Sequence, residues 1–127
     1  MSLEKNKALI RKVNEALNRM DLTVLDEFMA PDYVDHTNQL HGKEDARQLY
    51  VGIYKDMPDF HRTIEDMIGE GDKVWIRFRT SGTAPTGKRV EMITVSMLRF
   101  VNGKASEGWT VPRVTGQNRS IDRAFYK

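Results

Sequence analysis

Apolar residues recur with two different periods along this chain, and the change falls near residue 58. Leu3, Ile10, Val13, Leu17 and Met20 stand at helical spacing, with Glu4, Lys7, Arg11, Lys12 and Glu15 between them. This predicts an amphipathic first helix of about 16 residues. Asp21 then reads as the N-cap of a short second helix carrying Leu22, Leu25, Phe28 and Met29 on one face. Ala30-Pro31 ends it, because proline disfavours helical geometry in the residue before it. A polar loop from Asp32 to Gly42 follows, with His36 and His41. A third helix over Lys43–Asp56 turns Ala46, Leu49, Tyr50, Ile53 and Met57 inward until Pro58 stops it.

From Phe60 the pattern alternates. Strands are predicted over 60–69, 73–83, 88–101 and 104–114, joined at Gly71-Asp72, at Pro85-Thr86-Gly87 and at Asn102-Gly103, the strongest hairpin signal in the chain. Short hairpin links make neighbouring strands antiparallel. Helices first and a meander afterwards predict an α+β fold, three N-terminal helices packed on a curved antiparallel sheet. The third strand is apolar on both sides, with Ile93, Val95 and Met97 on one and Met92, Thr94, Ser96 and Leu98 on the other. One face must meet the helices or a pocket. For the other, with all the helices used, a homodimer through the outer sheet face is the economical cover; the alternative is a strand with a few ordinary exposed apolar residues.

Composition narrows the class. The 127 residues suit one domain, read as 1–116 with a basic C-terminal tail over 117–127, where Arg119, Arg123 and Lys127 face only Asp122. With no cysteine there is neither a disulfide framework nor a thiolate zinc site. The net charge of +2 is that of the tail, so a nucleic-acid partner is not expected. No apolar run approaches the roughly 20 residues that span a bilayer, and Met1-Ser2-Leu3-Glu4 does not read as a signal peptide. A cytoplasmic protein without a membrane partner is expected.

Several residues carry candidate chemistry. His36 has the side chain suited to proton transfer near neutrality, or else it fixes its loop by a backbone hydrogen bond. Tyr33, in the same loop, could donate its hydroxyl or pack between helix and sheet. Glu107 and Trp109 alternate onto one face of the last strand. If that face is concave, they set a carboxylate beside an aromatic wall; otherwise they are an exposed Glu and a core Trp. Asp59 and His61 form a carboxylate–imidazole pair or merely finish a turn. Thr94 and Ser96 are ligand hydrogen-bond partners or satisfied core hydroxyls. Trp75 is core or pocket wall. His36 and His41 lack metal-ligand spacing, so no metal site is expected.

The run Asp21-Leu22-Thr23-Val24-Leu25-Asp26-Glu27-Phe28, followed by Ala30-Pro31-Asp32-Tyr33-Val34-Asp35-His36, resembles the opening of SnoaL-like polyketide cyclases, within the NTF2-like superfamily of cone-shaped folds. Met57-Pro58-Asp59-Phe60, Ile64 to Ile68 with Gly71-Asp72-Lys73-Val74, Thr86 to Glu91, Arg99 to Lys104 and Glu107-Gly108-Trp109 continue the resemblance in order. It implies a deep pocket between the helices and the concave sheet face, a dimer through the other face, and cofactor-free aldol-type ring closure of a polyketide ester. It also points His36 into the pocket. A small hydrophobic carbonyl compound is the implied ligand, with His36 moving the proton, Glu107 as partner or base, and Tyr33 and Ser96 polarising the carbonyl. Trp75, Thr94 and Trp109 would complete the binding wall. A non-catalytic ligand-binding module is the alternative. Two positions depart from the family pattern: Gly82-Thr83 runs directly into Ala84-Pro85 without the family's histidine loop, and Ser96 stands where the cyclases carry an acidic base.

Overall fold

The structure is a computed structural model that describes residues 2–114. The tail expected over 117–127 lies outside the described residues. The elements run α1 (Leu3–Asn18), a 3-10 turn (Leu22–Val24), α2 (Leu25–Phe28), β1 (Met29–Asp35), β2 (Leu40–His41), α3 (Gly42–Asp56), β3 (His61–Glu70), β4 (Lys73–Thr83), β5 (Arg89–Val101) and β6 (Lys104–Val114). Ser2 caps α1 by accepting from the Lys5 amide, and Asp21 caps the 3-10 turn by accepting from the Thr23 amide. Met20 does not extend the buried stripe. It lies past the helix end with φ of 63° and is exposed.

The six strands form one sheet in the order β2-β1-β6-β5-β4-β3. The β3-β4-β5-β6 meander is antiparallel, whereas β1 pairs with β6 in parallel. The segment expected as loop from Asp32 therefore contains most of a strand. Its ladder is irregular between Met29 and Val34, where Pro31 has no amide hydrogen to donate. After β2, α3 carries the chain from one edge of the sheet to the other, so β1 meets the last strand rather than β3. At Asn102-Gly103 both residues take positive φ (51° and 79°), the geometry a two-residue hairpin turn demands.

The core lies between the helices and one face of the sheet. Ile10, Val13 and Leu17 of α1, with Leu25 and Phe28, pack against Val74, Ile76 and Phe78 of β4, Phe100 and Ala105. In α3 only Ala46 is buried; Leu49 is half open and lines a cavity instead.

Candidate functional site

Strand register decides which side chains share this inner face. Val74, Ile76 and Phe78 pair with Leu98, Ser96 and Thr94, and Leu98 and Ser96 pair in turn with Gly108 and Thr110. Between these residues and the helices the core opens into a cavity of about 100 Å³. Its wall is mostly apolar, from Ile10, Val13, Leu17, Leu25, Phe28, Met29, Leu49, Phe78 and Leu98, and its polar groups come from Tyr33, Asp35, Tyr50, Arg62, Ser96 and Thr110. Clefts for drug-sized ligands run to roughly 300–1,000 Å³, so this space suits a compound of about one ring.

Each polar group is held from a different element. Asp35, the buried end of β1, accepts at Oδ1 from the amides of Thr37 and Asn38, both at 3.0 Å, and at Oδ2 from Asn38 Nδ2 at 3.2 Å. These bonds tie the loop after β1 and fix the carboxylate against the cavity. Burial pushes the Tyr33 phenol well above its ordinary value, and the nearby Asp35 charge adds to this, so the hydroxyl stays protonated. The Ser96 and Thr110 hydroxyls are hydrogen-bonded to each other at 3.0 Å. Arg62 enters from β3: its Nε donates to Asn14 Oδ1 at 3.0 Å, its Nη1 donates to the Tyr50 hydroxyl at 3.2 Å, and its guanidinium lies 4.2 Å from the Phe78 ring centroid.

The expected residues divide between the two faces. Tyr33 and Ser96 line the cavity; Thr94 shares their side of the sheet but is outside the lining. His36, Glu107 and Trp109 come together, but on the outer face. His36 Nε2 lies 3.1 Å from Glu107 Oε1, and the His36 ring stacks on Trp109 at 4.6 Å between centroids. Arg99 Nε donates to Glu107 Oε2 at 2.5 Å. That bond, and then the one from His36, hold the Glu107 carboxyl below the usual carboxylate range.

The concave placement of Glu107 and Trp109 is thus corrected. Ala105 pairs with Phe100 and faces the core, but Glu107 pairs with Arg99, leaving Ser106 as an extra residue. This bulge reverses the alternation and turns the next odd-numbered residues outward. Trp75 is corrected likewise: its β4 neighbours Val74 and Ile76 take the core, and it stands 38% exposed on the outer face. Asp59 lies in the turn closed by the Phe60 amide donating to the Met57 carbonyl at 3.0 Å, and its carboxylate accepts from the Thr83 amide and hydroxyl, both at 2.8 Å, and from Arg89 Nη1 at 3.2 Å, rather than pairing with His61.

Asp35, Arg62 and Thr110 were not anticipated as lining residues, and Tyr50 was expected only as an inward-facing residue of α3. Arg62 had a readable signal, a cation two residues from Ile64 on the apolar side of its strand. Asp35 had none, because its segment reads as loop. Among the described residues no group of three or more His, Cys, Asp or Glu could hold a metal ion, and no helix is long and apolar enough to cross a membrane.

Known structures share this architecture. AclR of Streptomyces galilaeus, a candidate hydroxylase, is 29% identical with a TM-score of 0.81, the match covering 96% of this chain and 87% of that one. IdmH of Streptomyces antibioticus, a candidate polyketide cyclase, is 27% identical with a TM-score of 0.75, over 94% and 97% of the two chains. TsrD of Streptomyces laurentii shares the fold at 21% identity and a TM-score of 0.84, over 95% and 97%. No curated protein matches the chain. Residues 7–121 match the SnoaL-like polyketide cyclase family. Helices closing a curved, mixed sheet around one apolar cavity are the NTF2-like architecture, and the chain belongs to the SnoaL-like polyketide cyclase family.

Proposed function

We propose that the cavity binds a small hydrophobic carbonyl compound and moves a proton at the carbon next to the carbonyl, the step that begins cyclase- and isomerase-type reactions. The observation that carries this reading is Asp35, the one carboxylate among the described residues that line the cavity, oriented there by two backbone amides and Asn38. Asp35 takes the proton from carbon, the electron pair moves onto the carbonyl oxygen, and the enolate oxygen accepts a hydrogen bond from a tyrosine hydroxyl. Return of the proton to carbon completes an isomerisation or exchange; alternatively the enolate carbon attacks a second carbonyl within the same molecule, and Asp35 gives its proton to the alkoxide so formed, which restores the carboxylate. Tyr33 suits the donor role because its hydroxyl stays protonated. Ser96, at the family's acid position, serves as a binding hydroxyl.

Deuterium incorporation into aryl ketones and β-keto esters, followed by NMR in D2O, tests the mechanism. Asp35→Asn keeps an acceptor for the loop amides and is expected to slow exchange by about 10²–10⁴. His36→Ala and Glu107→Gln, on the outer face, are expected to leave it unchanged. Exchange lost in those two but retained in Asp35→Asn would sink this assignment. Saturable binding without exchange in the unmodified protein would favour a binding module, a reading supported by Ser96 at the acid position.

We also propose that a second copy of the chain covers the outer sheet face. Trp75, Val95 and Val111 are 38%, 42% and 70% exposed there, beside Met97 and Trp109. Arg79 is paired within the chain to Glu65 and Glu91, and Arg77 to Glu65, so two copies of this face meet without like-charge repulsion. Sedimentation of the Val95→Lys variant is expected to show a monomer where the unmodified protein is a dimer; a monomer in both would refute the interface.

A further inference from the structure

We infer that the compound taken up by the cavity carries a carboxylate and that Arg62 binds it. The inference rests on the cavity being the ligand site, as proposed above, and adds the chemical class of the ligand. Arg62 makes no ion pair among the described residues, although it lines the cavity and lies over the Phe78 ring. The guanidinium is partly buried, and a cation at a cavity wall with no counter-ion is free to take an anion from the ligand.

The backbone of this residue already holds the corner together. Helix α1 is clamped to β3 through the backbone of residue 62: Asn14 Nδ2 and Asn18 Nδ2 donate to its carbonyl oxygen at 2.9 and 2.8 Å, and its amide donates to Asn18 Oδ1 at 2.8 Å. These bonds would form with any side chain at this position except proline's. The guanidinium is additional, and two neutral groups, Asn14 and Tyr50, orient it without neutralising it. Nη2 and the second hydrogen of Nη1 remain as donors, the fork that matches a carboxylate.

The position of the other charge gives the ligand a direction. Asp35 and Arg62 stand on strands four steps apart in the sheet, about 19 Å measured along it at the usual strand spacing, and the curvature brings both to the wall of one cavity. A ligand anchored by its carboxylate at Arg62 would extend its carbonyl end toward Asp35, keeping the two negative groups apart. An aryl keto acid has this form.

The test compares 3-benzoylpropanoate with its methyl ester by calorimetry and NMR titration of the full chain. The acid is expected to bind the unmodified protein at least about tenfold more tightly than the ester. Arg62→Gln should abolish that preference while leaving ester affinity unchanged, and Arg62→Lys, which keeps the charge but not the fork, should retain part of it. The lysine variant decides the matter if the glutamine variant does not fold. Asp35→Asn should keep the preference although it loses exchange. Equal affinity for the two compounds, no binding of either, or a preference that survives Arg62→Gln in a folded protein would overturn the inference. Exchange on the ester without preference for the acid would remove this inference alone, and preference without exchange would remove only the proton-transfer reading.

Discussion

Replacing Gly108 by alanine should destabilise the protein, although backbone entropy alone predicts the opposite. Glycine within a strand ordinarily costs about 0.5–1 kcal/mol relative to alanine, so a neutral site would gain from the change. Here a Cβ at Gly108 would be driven into the Tyr33 hydroxyl, and would lie 3.2 Å from Leu98 Cδ2 and 3.4 Å from Tyr33 Cζ. Tyr33 is only 5% exposed and cannot swing into water without opening the core. Forcing its ring some 30° from a rotamer costs about 0.5–1.5 kcal/mol, and overpacking of a filled site about 1–3 kcal/mol. The clash thus outweighs the entropic gain, and a net loss of about 1–2 kcal/mol is expected. Removing the hydroxyl removes the worst contact and leaves the 3.4 Å approach of Cζ, an ordinary one, and the 3.2 Å approach of Leu98 Cδ2, the far end of a flexible side chain that need give only a few tenths of an ångström. Gly108→Ala made in a Tyr33→Phe background should therefore be close to neutral, with a coupling of about 1–2 kcal/mol between the two sites. Urea unfolding followed by circular dichroism, at unchanged m-value, reads the four proteins of the cycle. A Gly108→Ala protein as stable as the original, or a loss of the same size in both backgrounds, would refute the reasoning.

Two other perturbations test the supports of the two faces. Asn14→Ala removes a bond to the Arg62 carbonyl and leaves the Arg62 Nε–H without its acceptor, while Asn18 still holds the carbonyl. A loss of about 1–3 kcal/mol in thermal or urea unfolding is expected, and an unchanged midpoint would show that the α1–β3 clamp does not depend on Asn14. On the outer face, the depressed Glu107 carboxyl stabilises the fold at pH values above the ordinary 4.5, and that contribution is lost as pH falls through its lower folded-state value. Stability of the unmodified protein should fall more steeply below pH 4.5 than that of Glu107→Gln, with a smaller difference in high salt because the group is partly exposed. Parallel curves through that range would remove the Arg99–Glu107–His36 cluster as a source of acid sensitivity.

The division into helices and meander was legible because it rests on period. Leu17, Val74, Ile76 and Phe100 occupy positions where helical spacing or alternation puts buried residues, and Asn102-Gly103 announces its own turn. What could not be read depended on partners far away in the chain. The segment Met29–Asp35 contains a proline and becomes a strand only because β6, the last strand, offers it a parallel edge. Side-chain direction failed for a related reason. Alternation in β6 holds on each side of Ser106 but reverses across it, and only the pairing with β5 reveals the extra residue.

The end of β1 likewise separates residues that the sequence reading placed together. Asp35 closes β1 and His36 opens the turn after it, and the two side chains lie on opposite sides of the sheet: Asp35 at the cavity, His36 on Trp109. A reading that takes His36 as the pocket's proton carrier looks one residue past the carboxylate that lines it. The same geometry ties the two faces together. The His36 amide donates to the Gly108 carbonyl at 2.9 Å, and Gly108 is the residue against which Tyr33 packs. Whatever covers the His36–Trp109 stack therefore also steadies the strand end that carries Tyr33 and Asp35. Under the proposed arrangement, a second copy of the chain would stiffen the cavity wall without contributing a residue to it.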